Sequence, residues 1–114
     1  MLNSGDVVDV QLGAPQGREA GFSHPAVIVT GRRILEATPS IVQVVPLTTT
    51  VRRFDAEVRI EPDEANGLDS VSSAQCQHIR AVSTGRIGRV RGNVGPIALS
   101  QIREVIALIL DLPS

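Results

Sequence analysis

The run from Phe54 to Glu61 constrains the fold of this chain more than any other stretch. Phe54, Ala56, Val58 and Ile60 alternate with Asp55, Glu57, Arg59 and Glu61. A period of two sends successive side chains to opposite faces of an extended segment. The run is therefore expected to be a half-buried strand of an antiparallel sheet, apolar positions inward and charged positions outward.

Other segments fit around that strand. Asp6 to Leu12 is valine-rich and reads as a first strand. Gly13 to Ser23 holds Gly13, Gly17 and Gly21, with Arg18 and Glu19 between them. Loops of that length in a small domain are usually functional or mobile. Pro25 to Thr30 and Ile41 to Leu47 read as short buried strands, the first opening on its proline, and Arg32 to Ala37 allows one helical turn. Pro62 to Gly67 reads as a turn, and Leu68–Ser72, His78–Ser83 and Arg86–Val90 as three more strands. Ile97 to Leu110 carries Leu99, Ile102, Ile106, Ile109 and Leu110 at helical spacing, with Pro96 or Ser100 at its start and Pro113 beyond its end. A meander of short strands closed by one helix implies a mainly β fold. The expectation is a small, strongly bent antiparallel barrel of the SH3-like kind with a C-terminal helix, occupying residues 1–114 as one domain.

Composition removes several alternatives. At 42% hydrophobic residues the chain can bury a core. Its longest uninterrupted apolar run, Val105 to Leu110, is far short of the ~20 residues a membrane span needs. The first residues lack the basic and apolar regions of a signal peptide, so a cytoplasmic location is expected and no membrane association. One cysteine, Cys76, and two histidines exclude an internal disulfide and an obvious zinc cluster, so neither metal nor cofactor is expected. Nucleotide-binding and common hydrolase motifs are missing. The net charge of −1 hides an asymmetry. Six acids lie between Phe54 and Asp69, and five arginines between Ser70 and Leu110. At most this offers a basic patch beside an acidic edge. With no Trp or Tyr and two Phe, stacking of bases on aromatic platforms is not expected.

Three polar clusters interrupt the apolar pattern: Arg18-Glu19 with His24 at the loop exit, Thr48-Thr49-Thr50 after a buried strand, and Gln75 to Arg80. Each has a bland reading. His24 alone is more often structural, Thr48 caps a strand end as readily as it contacts a phosphate, Cys76 is a small buried filler, and His78 is a strand residue with one satisfied nitrogen.

Order and spacing add to this. Gly5-Asp6-Val7-Val8, a long loop, His24-Pro25-Ala26-Val27-Ile28-Val29, Val45-Pro46-Leu47-Thr48-Thr49, Asp69-Ser70-Val71 and Ile79-Arg80 follow one another in a pattern that resembles the MazF/PemK family of toxin endoribonucleases. The resemblance runs from Gly5 to Leu112. It implies the CcdB/Kid/MazF-like barrel, a homodimer, a cognate antitoxin, and cleavage of single-stranded RNA without a metal. In that chemistry the 2′-hydroxyl attacks the adjacent phosphorus, leaving a 2′,3′-cyclic phosphate and a 5′-hydroxyl. A base, an acid and donors to the phosphorane are required.

The resemblance carries over unevenly. Thr48 matches the family's catalytic or phosphate-contacting Thr or Ser. His24 stands where the family has a catalytic arginine before the proline. Where the Kid/PemK branch has a loop histidine ahead of a glutamate, this chain has Arg18 and Glu19; where that branch has Arg-Cys-Asp, it has Gln75-Cys76-Gln77, without the acid. These exchanges imply a swap, with His24 transferring protons, a task suited to a side chain that changes charge near neutrality. Arg18 would stabilise the phosphorane and Thr48 donate a hydrogen bond. Glu19, Thr49, Arg52, Arg53, Gln77 and Arg80 are the expected RNA contacts, with a solvated hairpin tip the alternative for Thr49 to Arg53, and an ion pair with the acidic edge the alternative for Arg80. Two other functions stay open: a non-catalytic toxin of this fold that poisons a topoisomerase, as CcdB relatives do, and a plain protein-interaction barrel.

Overall fold

The computed structural model describes residues 1–11, 23–52 and 54–113. Its strands are β1 (Asp6–Gln11), β2 (Ser23–Ile28), β3 (Ile41–Thr48), β4 (Glu57–Ile60), β5 (Ser72–Gln75), β6 (Arg80–Ser83) and β7 (Ile87–Asn93). A short helix α1 (Arg32–Leu35) follows β2, and α2 (Gly95–Ile109) is the last element. The strands form one antiparallel sheet in the order β4-β5-β3-β2-β1-β7, with β6 also on β3. β3 gives its Leu47–Thr48 end to β5 and residues 41–44 to β6, so one strand serves two partners along the same edge. The β1–β7 ladder slips register twice, between Val7 and Val8 and between Val8 and Val10, and such irregularities bend a sheet. The small, strongly bent antiparallel sheet with a terminal helix is the architecture expected from the sequence.

The valine runs alternate poorly because the central strands are buried on both faces. Val7, Val27, Val45 and Leu47 pack with Ile102 and Ile106 of α2, together with Val58, Ile60 and Ala74. Their neighbours Val8, Val10, Ala26, Ile28, Val42 and Val44 pack on the other face with Leu35 of α1.

Several boundaries differ from expectation. β4 begins at Glu57, since residues 54–56 form a turn closed by the Glu57 N–H donating to the Phe54 carbonyl at 3.0 Å. The strand expected over Leu68–Ser72 lies at Ser72–Gln75. Its place is taken by a loop organised on buried Asn66, which accepts from the Asp63 and Leu68 N–H groups and donates to the Glu61 carbonyl at 2.9 Å. His78 is not a strand residue; it ends a single 3-10 turn, Cys76–His78, and is exposed. β2 starts two residues before Pro25. Helix α2 starts at Gly95, whose N–H is taken by the Asn93 side chain at 2.8 Å, and Pro96 suits the first turn, where no intrahelical N–H is needed.

Two glycines let the 62–67 turn lie against β7. A Cβ at Gly92 would run into the Ala65 carbonyl oxygen, and one at Gly67, where φ is +67°, into the Arg91 carbonyl oxygen. Among the described residues no helix is long and apolar enough to cross a membrane.

Candidate functional site

Sheet register decides which polar side chains meet. Residues directly opposite in an antiparallel pair share a face, and so do residues two apart along a strand. The β2–β3 ladder pairs Ala26 with Pro46, Val27 with Val45 and Ile28 with Val44. His24 near the start of β2 and Thr48 at the end of β3 stand at the same end of this antiparallel pair, each two residues beyond its last paired residue. Thr48 is opposite Ser73 on β5, and Ser73 is opposite Arg59 on β4. Thr48, Ser73 and Arg59 therefore form one row across three strands, with His24 at the same end of the neighbouring β2. The row lies on the face away from α2, because Thr48 has the parity of Val44 rather than that of Leu47, which packs with Ile102.

Beside this row sits a carboxylate that the alternation expected to face solvent. The Glu57 side chain is only 1% exposed. Its Oε1 accepts from the Ser73 hydroxyl at 2.8 Å. Its Oε2 accepts from Gln77 Nε2 at 2.7 Å and from an Arg52 terminal nitrogen at 3.1 Å. Burial alone would raise the Glu57 pKa, but the bonds from Gln77, Ser73 and Arg52, with the Arg52 charge, outweigh it and hold the carboxyl below the ordinary value. Arg52 is anchored a second time, its guanidinium carbon 4.6 Å from the centre of the Phe54 ring. Half of that arginine still faces solvent, at 45% exposure of its side chain.

The remaining expected site residues divide. Thr48 is half-buried and its Oγ1 accepts from the Thr50 N–H at 3.1 Å, so it also caps the strand end. Thr49 is exposed in the following bend. Arg80 is exposed opposite Val44 on the same face, but four residues back along β3 from Thr48, about 13 Å at the rise of a strand. Among the described residues no acid pairs with it, so the ion-pair alternative is not seen. Arg18, Glu19 and Arg53 lie outside the described residues. Cys76 is fully buried and its thiol is pushed up to about 11 by that burial, as expected of an inert filler. Among the described residues no group of three or more His, Cys, Asp and Glu is placed to hold a metal ion.

Glu57, Ser73 and Arg59 were not among the sequence candidates. Glu57 and Arg59 read as outward charges of a half-buried strand, and Ser73 lies outside the strand assigned to its region. Their roles depend on which strands become neighbours, and the register of distant segments is not written in any one of them.

The family described as PemK-like, MazF-like toxin of type II toxin–antitoxin system matches residues 3–110. Endoribonuclease MazF9 of Mycobacterium tuberculosis is 31% identical over 117 aligned positions, covering 98% of this chain and 98% of that protein. The M. tuberculosis toxin MazF-mt6 superposes with a TM-score of 0.76 at 26% identity, over 96% of this chain and 99% of that one. A mycobacterial endoribonuclease solved in complex with its cognate antitoxin superposes with a TM-score of 0.81 at 24% identity, over 100% and 99% of the two chains.

Proposed function

Because the chain belongs to the PemK-like, MazF-like toxins of type II toxin–antitoxin systems, we propose that it is an endoribonuclease that cuts single-stranded RNA and is restrained by a cognate antitoxin. The similarity to MazF9, an endoribonuclease, supports the activity. The single observation that supports the site reading is the antiparallel β2–β3 pairing, which leaves His24 and Thr48 at the same end of the two strands. The comparisons do not favour the topoisomerase-poison and plain-barrel readings.

In this proposal the RNA 2′-oxygen attacks the adjacent phosphorus while the bond to the 5′-oxygen of the next nucleotide breaks. The products are a 2′,3′-cyclic phosphate and a 5′-hydroxyl. His24 is the proton-transfer group, Thr48 donates a hydrogen bond to a phosphate oxygen, and Arg18 offsets the charge of the phosphorane. Thr49 and Arg52 contact the strand at the site, with Glu19, Arg53 and Gln77, and Arg80 meets a phosphate further along β3. Arg59 joins this set: it lies in the row of Thr48 and Ser73, and its exposed pair with Glu61 at 3.0 Å is weak enough to exchange for a phosphate.

The working unit is a cytoplasmic homodimer. The end of α2 supports this, since Leu108 is 79% exposed and Ile109, Leu110 and Leu112 are exposed beside it, more apolar surface than one sheet face requires. Incubation with a long single-stranded RNA in excess EDTA tests the activity. Discrete fragments with 5′-hydroxyl ends are expected; intact RNA, or 5′-phosphate ends, would refute it.

A further inference from the structure

The carboxylate of Glu57 sits where a negative charge looks wrong for an RNA site. It lies against Ser73, the cross-strand partner of Thr48, on the face where a polyanion would bind. By simple charge it repels substrate. Its three bonds suggest another use. Oε1 is tied to Ser73, and Oε2 to Gln77 and Arg52, so one buried group links the strand beside Thr48 to the exposed loop arginine. Arg52 without this anchor is a long, flexible side chain on a loop, and ordering such a chain on binding costs affinity. With one terminal nitrogen on Glu57 and its plane over Phe54, the guanidinium keeps other N–H donors for a phosphate.

We propose that Glu57 is a positioning residue for substrate binding, holding Arg52 at the edge of the His24–Thr48 face so that its free donors meet an RNA phosphate. This rests on the ribonuclease reading above. The role accounts for Gln77 as well: with an acid already at Glu57, a neutral donor at 77 adds a bond where a second carboxylate would add repulsion.

Charge and positioning predict opposite signs, which makes the idea testable. Steady-state cleavage of a long single-stranded RNA would be measured for the full chain and for Glu57→Gln, Arg52→Ala, Arg52→Lys and the Glu57→Gln/Arg52→Ala double variant. Positioning predicts KM raised about tenfold in Glu57→Gln with kcat within about threefold, since ground-state binding is what is lost. It also predicts that the double variant matches Arg52→Ala within about twofold, and that the slope of log KM against log salt falls by about one. Arg52→Lys, which keeps the charge but not the fork, is expected to resemble Arg52→Ala, and it remains informative even if Glu57→Gln folds poorly. An unchanged or lowered KM in Glu57→Gln, multiplicative effects in the double variant, or wild-type behaviour of Arg52→Lys would overturn the proposal while leaving the ribonuclease intact. No cleavage by wild type would overturn both.

Discussion

The Ser73 hydroxyl donates to Glu57 Oε1 at 2.8 Å across the diagonal of the β5–β4 pair, while the Ser73 backbone is the register partner of Thr48. This single link joins the expected catalytic threonine to a buried charge two strands away. It also makes the electrostatics of Glu57 a property of the site rather than of an outer edge.

Acid stability follows from that charge. A carboxyl held below its ordinary value stabilises the folded state above the unfolded pKa of about 4.3, and the contribution is lost as the pH falls through the lower, folded value. Thermal melts of wild type and Glu57→Gln are expected to differ most at pH 7, with the gap closing toward pH 3. A gap independent of pH would contradict the assignment.

Cys76 is expected to be chemically silent. Its thiol, moved from 9.0 to about 11 by burial and secondarily by the Glu57 charge, carries about a hundredfold less thiolate at neutral pH than an ordinary one. Alkylation by iodoacetamide at pH 8 should be correspondingly slow in the native protein and fast in denaturant. Rapid native labelling would show that the residue is accessible.

The contact between the 62–67 turn and β7 leaves no room for a side chain. Gly92→Ala forces a methyl group into the Ala65 carbonyl and is expected to destabilise the chain by about 2 kcal/mol or more through overpacking and backbone shift. Gly31→Ala, where nothing lies within 4 Å of the added carbon, serves as the control and should unfold within about 0.5 kcal/mol of wild type. Equal denaturation midpoints for the two variants would remove the argument.

The exposed end of α2 predicts an oligomer. Leu108→Glu puts a charge in the middle of the apolar surface and is expected to turn a dimer into a monomer by light scattering, because an unpaired charge is costly to bury. A wild-type monomer would refute the dimer, and a Leu108→Glu dimer would move its interface elsewhere.

The sequence carried the local features and missed the diagonal ones. The alternation of Val58 and Ile60 with Arg59 described β4 correctly, and the apolar spacing of Ile102 and Ile106 described the buried stripe of α2, since each signal resides within one element. The alternation of Phe54 to Ala56 persists through a turn, where backbone hydrogen bonding overrides pattern. Glu57 had the right parity for an outward charge. Only the arrival of Ser73 from β5, Gln77 from the turn after it and Arg52 from the preceding loop buries its carboxylate. Residue type and order single out His24 and Thr48, while their place at one end of the sheet depends on the antiparallel pairing that β2 and β3 adopt.

If the face carrying His24 and Thr48 cuts RNA, the single-turnover cleavage rate of wild type beside His24→Ala and Thr48→Ala reports it directly. Folded variants are expected whose rates fall about a hundredfold or more for the histidine, as for a general acid–base group, and at least about tenfold for the threonine hydrogen bond. Rates within about threefold of wild type in both variants, on well-folded protein, would place the chemistry somewhere else.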